Sequence, residues 1–125
     1  MEERKFSFEK LNAYQQAKKL VIMVYQLLKL FPLEEKFALC DQLRRASVSI
    51  ASNIAEGSSR FSQKDQKHFI EMSYGSLMEV YCQLQIALEL KYISVNQLEG
   101  IKDSIYTEAK LLSGLRHSLA ISNNL

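Results

Sequence analysis

Apolar positions recur every three or four residues along nearly the whole chain, the period of helices that each bury one face. Tyr14, Ala17, Val21, Val24, Leu28 and Phe31 form a first heptad-like seam. Ser7 stands where an N-cap is expected, with Phe6 and Leu11 at the hydrophobic-staple positions. Pro32 ends this helix and suits the first turn of the next, where Glu34 and Glu35 complement the positive N-terminal dipole. A second seam, Leu39, Leu43, Ala46, Ile50 and Ile54, leads to Gly57, placed as a C′ stop. Ser58-Ser59-Arg60-Phe61 links to a third helix, opened by a capping box from Ser62 to Asp65. Its seam is Ile70, Ser73, Leu77, Val80, Leu84 and Ala87. A box from Ser94 to Gln97 opens a fourth helix, with Leu98, Ile101, Ile105, Leu112, Leu115 and Leu119 on one face. The tail from Ser122 to Leu125 is expected to fray.

The pattern predicts helices over residues 8–31, 33–57, 63–91 and 95–120 of a single 1–125 domain. Each is roughly 24–29 residues, or about 36–44 Å at 1.5 Å per residue. Equal lengths and short links favour an all-α fold: an antiparallel up-down-up-down four-helix bundle. Composition agrees, because four Gly and one Pro in 125 residues cannot supply the turns of a sandwich or barrel.

Helix one carries more apolar surface than one core requires. A second seam, Leu20, Met23, Leu27 and Leu30, lies beside the first, and together they span about 200°. Ile22 and Tyr25 widen it. Helix three has a mixed second face of Met72, Gly75, Cys82, Ile86 and Leu90. Patches of this kind are rare on soluble monomers. Self-association is therefore expected, with Leu20, Met23, Leu27, Leu30, Met72 and Ile86 at the oligomer interface. In helix two, Ala46, Ser47, Ser49, Ala51, Ser52 and Ala55 are small, which suits close helix packing.

The net charge of +2 is unevenly placed. Residues 4–67 hold twelve Lys/Arg against six Asp/Glu, and residues 68–125 hold four against six. A basic first half is compatible with an anionic partner. Candidate phosphate contacts are Lys18, Lys19, Lys29, Arg44, Arg45 and Arg60. Lys18 and Lys29 share one face of helix one, being about three turns apart. Arg45 has the alternative of pairing with Asp41. Glu56 sits where the helix dipole disfavours an anion, so a polar cluster of Asn53, Glu56 and Arg60 is expected. Glu108 falls within the fourth seam, where a charge needs a partner.

Catalytic and metal patterns fail. A di-iron bundle needs two Glu-x-x-His pairs, and only Asp65-x-x-His68 comes near. Helical ribonucleases place Arg and His four to six residues apart, which neither Arg60 with His68 nor the adjacent Arg116 and His117 reproduces. No nucleophile elbow, phosphate-binding glycine loop or HExxH is present. No enzyme activity, metal or cofactor is expected. The longest apolar run, Leu20 to Tyr25, is too short for a bilayer. The charged start Met1-Glu2-Glu3-Arg4-Lys5 lacks a secretory pattern, and Cys40 and Cys82 read as reduced, buried thiols of a cytoplasmic protein.

Three runs carry a resemblance. They are Gln42-Leu43-Arg44-Arg45-Ala46-Ser47-Val48-Ser49-Ile50, Asn53-Ile54-Ala55-Glu56-Gly57-Ser58-Ser59-Arg60 and Gly75-Ser76-Leu77-Met78-Glu79. With Phe8-Glu9-Lys10-Leu11, they closely resemble the bacterial four-helix bundle proteins encoded in intervening sequences of 23S ribosomal RNA genes. The similarity covers about residues 7–119. More distantly, the chain is similar to the accessory protein of diversity-generating retroelements, a basic ring that binds nucleic acid. The resemblance implies a homo-oligomeric ring, with five subunits expected, and an association with RNA or DNA. The chain departs from a strongly basic ring at Glu2, Glu3 and its acidic C-terminal half. The alternative is a protein-binding scaffold without nucleic-acid contact.

Overall fold

The computed structural model describes the backbone of residues 4–123 and the side chains of residues 4–119. Among these residues lie four α-helices and no strand. They are α1 (Asn12–Leu28), α2 (Leu39–Ser58), α3 (Gln63–Glu89) and α4 (Val95–Asn123). Short 3-10 turns at Ser7–Lys10 and Leu33–Glu35 precede α1 and α2.

Helix one is shorter at both ends than its apolar pattern predicts. Ser7 is not its N-cap but the first residue of a 3-10 turn, tied by Glu9 Oε2 accepting from the Phe6 N–H at 2.8 Å. At the other end Pro32 has no N–H for the Leu28 carbonyl, and Phe31 before it is pushed from helical dihedrals. Residues 29–31 therefore tighten into i→i+3 bonds. Helix two begins six residues late because the chain first takes a 3-10 turn at Leu33–Glu35, and Ala38, at φ −118° and ψ −106°, breaks the helical path before Leu39. Glu35 then caps it from outside, its Oε2 accepting from the Leu39 N–H at 3.1 Å. The other oxygen, Oε1, accepts from the Tyr92 hydroxyl at 3.1 Å. One carboxylate thus joins the α1–α2 and α3–α4 links.

The Ser94–Gln97 capping box forms in full, whereas Ser62 makes only the N-cap half of its box. Ser62 Oγ accepts from the Asp65 N–H, and Ser94 and Gln97 exchange bonds at 3.1 and 2.8 Å. Gly57, however, is no C′ stop. It lies inside α2 with no positive φ, and the helix runs on to Ser58. The left-handed cap occurs instead at Lys91, φ 64°, after α3. There the Tyr92 N–H reaches the Ala87 carbonyl at 2.9 Å, as in a Schellman motif. The tail expected to fray is helical through Asn123, and Asn124 and Leu125 lie outside the described residues.

The core follows the seams of α2, α3 and α4: Leu43, Ile50 and Ile54; Leu77, Val80 and Leu84; Ile101, Ile105 and Leu112 are all buried. Helix one is rotated. Its buried line is Ala13, Ala17, Leu20 and Val24, continuing to Phe31, and it runs between the two seams. The cause is geometric. α1 packs against both α2 and α4, so its buried arc is wider than a single stripe.

α2 and α3 make the densest helix pair. Ser73 Oγ donates to the Ile50 carbonyl at 2.8 Å, Ser76 Oγ to Ser49 Oγ at 3.1 Å, and Gln83 Nε2 to Gln42 Oε1 at 3.3 Å. Rising α3 numbers meet falling α2 numbers, so the pair runs in opposite senses. The small residues of α2 are used for this close approach. At the far end of the pair Gly57 meets Phe69. Across α1 and α4, Ser104 Oγ donates to Met23 Sδ at 3.4 Å.

Candidate functional site

The six candidate phosphate contacts do not form one patch of free cations. Arg44 donates to the Lys36 carbonyl at 2.7 Å and lies 3.9 Å from Asp41, pinning the link before α2. Arg45 takes its bland alternative, donating from Nε to Asp41 Oδ2 at 3.0 Å. Arg60 pairs with Glu56 at 3.7 Å and lies over the Phe69 ring at 4.5 Å. On helix one, Lys18, Lys19 and Lys29 are exposed, and Lys18 reaches the Tyr14 ring at 5.1 Å. None of these three lysines makes an ion pair among the described residues.

The expected Asn53–Glu56–Arg60 cluster is split. Glu56 and Arg60 pair loosely, with both side chains about half exposed. Asn53 turns the other way, donating from Nδ2 to the Ser49 carbonyl and Ser49 Oγ, both at 2.9 Å. Residues 53 and 56 lie only about 60° apart round the helix, but the edge of the buried arc falls between them, with Asn53 buried and Glu56 exposed.

The expected interface residues also divide. Leu20 is fully buried in the bundle core and is not available to a partner. Met23 and Leu27 are half-buried and packed against that core. Leu30, Met72 and Ile86 stay exposed, Leu30 and Ile86 at 49% and 45%. Ile22 and Tyr25 extend the apolar surface of α1, Ile22 at 59% exposure. Cys40 is buried, as expected, and burial raises its thiol pKa. Cys82 is exposed and lies on the outward face of α3.

Glu108 is the least comfortable group in the structure. It is fully buried between Ile105 and Leu112 on α4, and neither carboxylate oxygen has a hydrogen-bond partner. The ion pair expected from its place in the seam is absent. Burial alone pushes its pKa to about 8, so the neutral acid dominates at pH 7. Among the described residues no group of His, Cys, Asp and Glu is placed to hold a metal ion. No helix is long and apolar enough to cross a membrane.

A further feature lay unread in the sequence, at the end of the molecule where α1 begins and α2 meets α3. A small cavity of about 220 Å³ there is lined by Ser7, Leu11, Gly57, Gln66, Leu115 and Leu119, so three parts of the chain converge. Phe61 projects from the turn at 106% exposure, and Phe6 is 74% exposed nearby in the first segment. Arg60 and Phe61 follow Glu56 so closely that the sequence signal was visible.

These features define an all-helical fold of four helices with exposed apolar side chains on two of them. The chain belongs to the 23S rRNA-intervening sequence protein family, whose model matches residues 9–114. A solved structure from Bacteroides thetaiotaomicron, described as a protein of unknown function from the S23 ribosomal protein family, has the same fold. Its TM-score is 0.76 at 23% identity, covering 83% of this chain and 97% of that one. No curated protein matches the sequence.

Proposed function

We propose that this chain is a non-enzymatic, cytoplasmic subunit whose up-down-up-down bundle self-associates into a ring, five copies being the number the resemblance implies. In this reading the ring serves as an accessory to RNA or DNA. One observation carries it: large apolar side chains stand in water on α1 and α3, in a chain whose lysines, Lys102 apart, make no ion pair among the described residues. Burying apolar surface favours a second copy at roughly 25 cal/mol per Å². A ring then repeats each weak basic patch, so a modest charge per chain suffices for avidity.

The second reading is a protein-binding scaffold. The intramolecular partners of Arg44, Arg45 and Arg60 favour it, because those cations are already engaged.

A gel shift against structured RNA at two salt concentrations separates the two readings, alongside light scattering at micromolar protein. An accessory ring gives a mass several times 14.4 kDa and a binding constant falling steeply with salt. A monomer mass overturns the ring. Oligomer without any salt-dependent RNA shift leaves the scaffold reading ahead.

A further inference from the structure

Net charge is unevenly divided between the two ends of the bundle. At the end where α2 meets α3, residues 4–10 hold Arg4, Lys5 and Lys10 against Glu9. Residues 56–71 hold three Lys/Arg against three acids, and residues 110–119 hold Lys110 and Arg116 with no acid. The described residues of this end therefore sum to +4. Glu2 and Glu3 lie outside the described residues. At the opposite end, residues 29–45 and 89–103 together hold six Lys/Arg against six acids, a balance of zero, with Asp41 paired to Arg44 and Arg45.

Three of the four acids at the basic end are already engaged. Glu9 accepts from the Phe6 N–H, Glu56 pairs with Arg60, and Glu71 pairs with Arg116 at 3.3 Å. Arg4, Lys5, Lys10, Lys64, Lys67 and Lys110 have no ion pair among the described residues. The free charge at this end is therefore cationic.

Phe61 lies on the turn between α2 and α3 at this end, and the turn is held on both sides. Gln66 Nε2 donates to the Arg60 carbonyl at 2.9 Å on one side, and Ser62 caps α3 on the other. The Arg60 side chain lies over Phe69. The turn is thus tied down on both sides, yet the Phe61 ring is wholly in water. Leaving a Phe unburied forgoes the hydrophobic stabilisation a core position would give it. A fixed, fully exposed ring among cations is the pairing that single-stranded nucleic acid requires: cations follow the phosphates and an aromatic face stacks on a base. A duplex offers no free base face to that ring.

We propose that the α2–α3 end binds a single-stranded segment of RNA or DNA, with a base stacked on Phe61 and phosphates held by Lys64, Lys67 and the cations of residues 4–10. The α1 face of Lys18 and Lys29 is not this site. The proposal rests on the nucleic-acid reading above and places its contact. Phe6 offers a second ring at the same end, its ring stacked nearly parallel to Phe8 at 6.3 Å.

The test is fluorescence titration of the full-length protein with fluorescein-labelled oligouridine, oligothymidine and duplex RNA of roughly 16 units, the upper end of single-strand site sizes. Wild type is compared with Phe61→Ala, Lys64→Glu/Lys67→Glu and Lys18→Glu/Lys29→Glu. All these positions lie outside the buried core, and circular dichroism checks that each variant is folded. The proposal expects either single strand to bind more tightly than duplex. Phe61→Ala weakens single-strand binding by roughly tenfold or more, the range of one lost base stack. Lys64→Glu/Lys67→Glu lowers the salt slope by about 0.7 for each phosphate lost. Lys18→Glu/Lys29→Glu binds as wild type does.

If wild type binds no nucleic acid, the functional reading falls and the placement with it. If wild type binds but Phe61→Ala is neutral while Lys18→Glu/Lys29→Glu is not, the placement alone is wrong. Duplex bound as well as single strand also overturns it. So does displacement by polyglutamate or phosphatidylserine vesicles at equal charge, which would point to an acidic protein or a membrane. A drop in mass by light scattering for Phe61→Ala would make this end a self-association surface and overturn the proposal.

Discussion

A Cβ built on Gly57 of α2 would lie 2.9 Å from the Cβ of Phe69 on α3. The obstructing atom is fixed to the α3 backbone, so it cannot swing aside as the tip of a long side chain would. The Gln66 carbonyl, 3.4 Å away, closes the other side. The same Phe69 ring carries the Arg60 guanidinium. This close approach therefore sets both how α2 meets α3 and how the turn between them is held.

Gly57→Ala should destabilise the protein. In an ordinary helix interior the change gains about 0.5–1 kcal/mol. Here overpacking costs roughly 1–3 kcal/mol and wins. Urea unfolding checks the sign. A rise in midpoint would mean that α3 can retreat freely, and the fixed-spacing account would be wrong.

Lys91→Gly should act in the opposite direction. Lys91 holds φ 64° at the C′ position after α3, a conformation glycine adopts without steric cost. The expected gain is on the order of 1 kcal/mol, read as an increase in thermal midpoint. Lys91→Ala keeps the Cβ and should leave the midpoint nearly unchanged.

Glu108 makes stability depend on pH. Burial holds its carboxyl near pKa 8 in the folded chain, against 4.5 for an ordinary glutamate in water. Between those values the folded state keeps a proton the unfolded state has lost, so stability falls as pH rises. Below about 4.5 both states are protonated, and above about 8 both are ionised and the loss is complete. The expected loss is on the order of a few kcal/mol across that window. Glu108→Gln should flatten the dependence in urea titrations at the two limits. An unchanged pH slope in Glu108→Gln would assign the effect to other groups.

Ile22→Glu combined with Ile86→Glu should reduce the mass of the assembly while leaving helicity intact. Both side chains stand in water on α1 and α3, so a charge there does not disturb the core. Leu27 is a poorer probe because it packs against that core. Light scattering with circular dichroism reads the two effects apart. Loss of helicity at unchanged mass would count against an interface on these faces.

Loose pairing limits what other changes would reveal. Glu56 and Arg60 are 3.7 Å apart and half exposed. Surface pairs of this kind contribute about 0–1 kcal/mol.

Neighbouring residues along the chain were enough to specify four helices, the Ser62 cap, the Ser94–Gln97 capping box and the core lines of α2, α3 and α4. Those features depend on residues close in sequence, and local dihedral and capping preferences act over a few positions. The same local physics placed Pro32 at a break but could not measure how far its effect reached into Leu28 and Leu39. Tertiary structure alone decided which arc of α1 faces inward, because α1 packs against two neighbours and buries Leu20 of the second seam together with Ala17 and Val24 of the first. It also turned Gly57 from a chain terminator into a spacer against Phe69, sent Asn53 and Glu56 in different directions, and left Glu108 without a partner. Each outcome depends on which side chain another helix brings opposite, and spacing along one helix carries no information about that. The basic end with Phe61 at its tip is of the same kind. Its cations come from residues 4–10, 60–67 and 110–116, far apart in the chain and joined only when the helices pack.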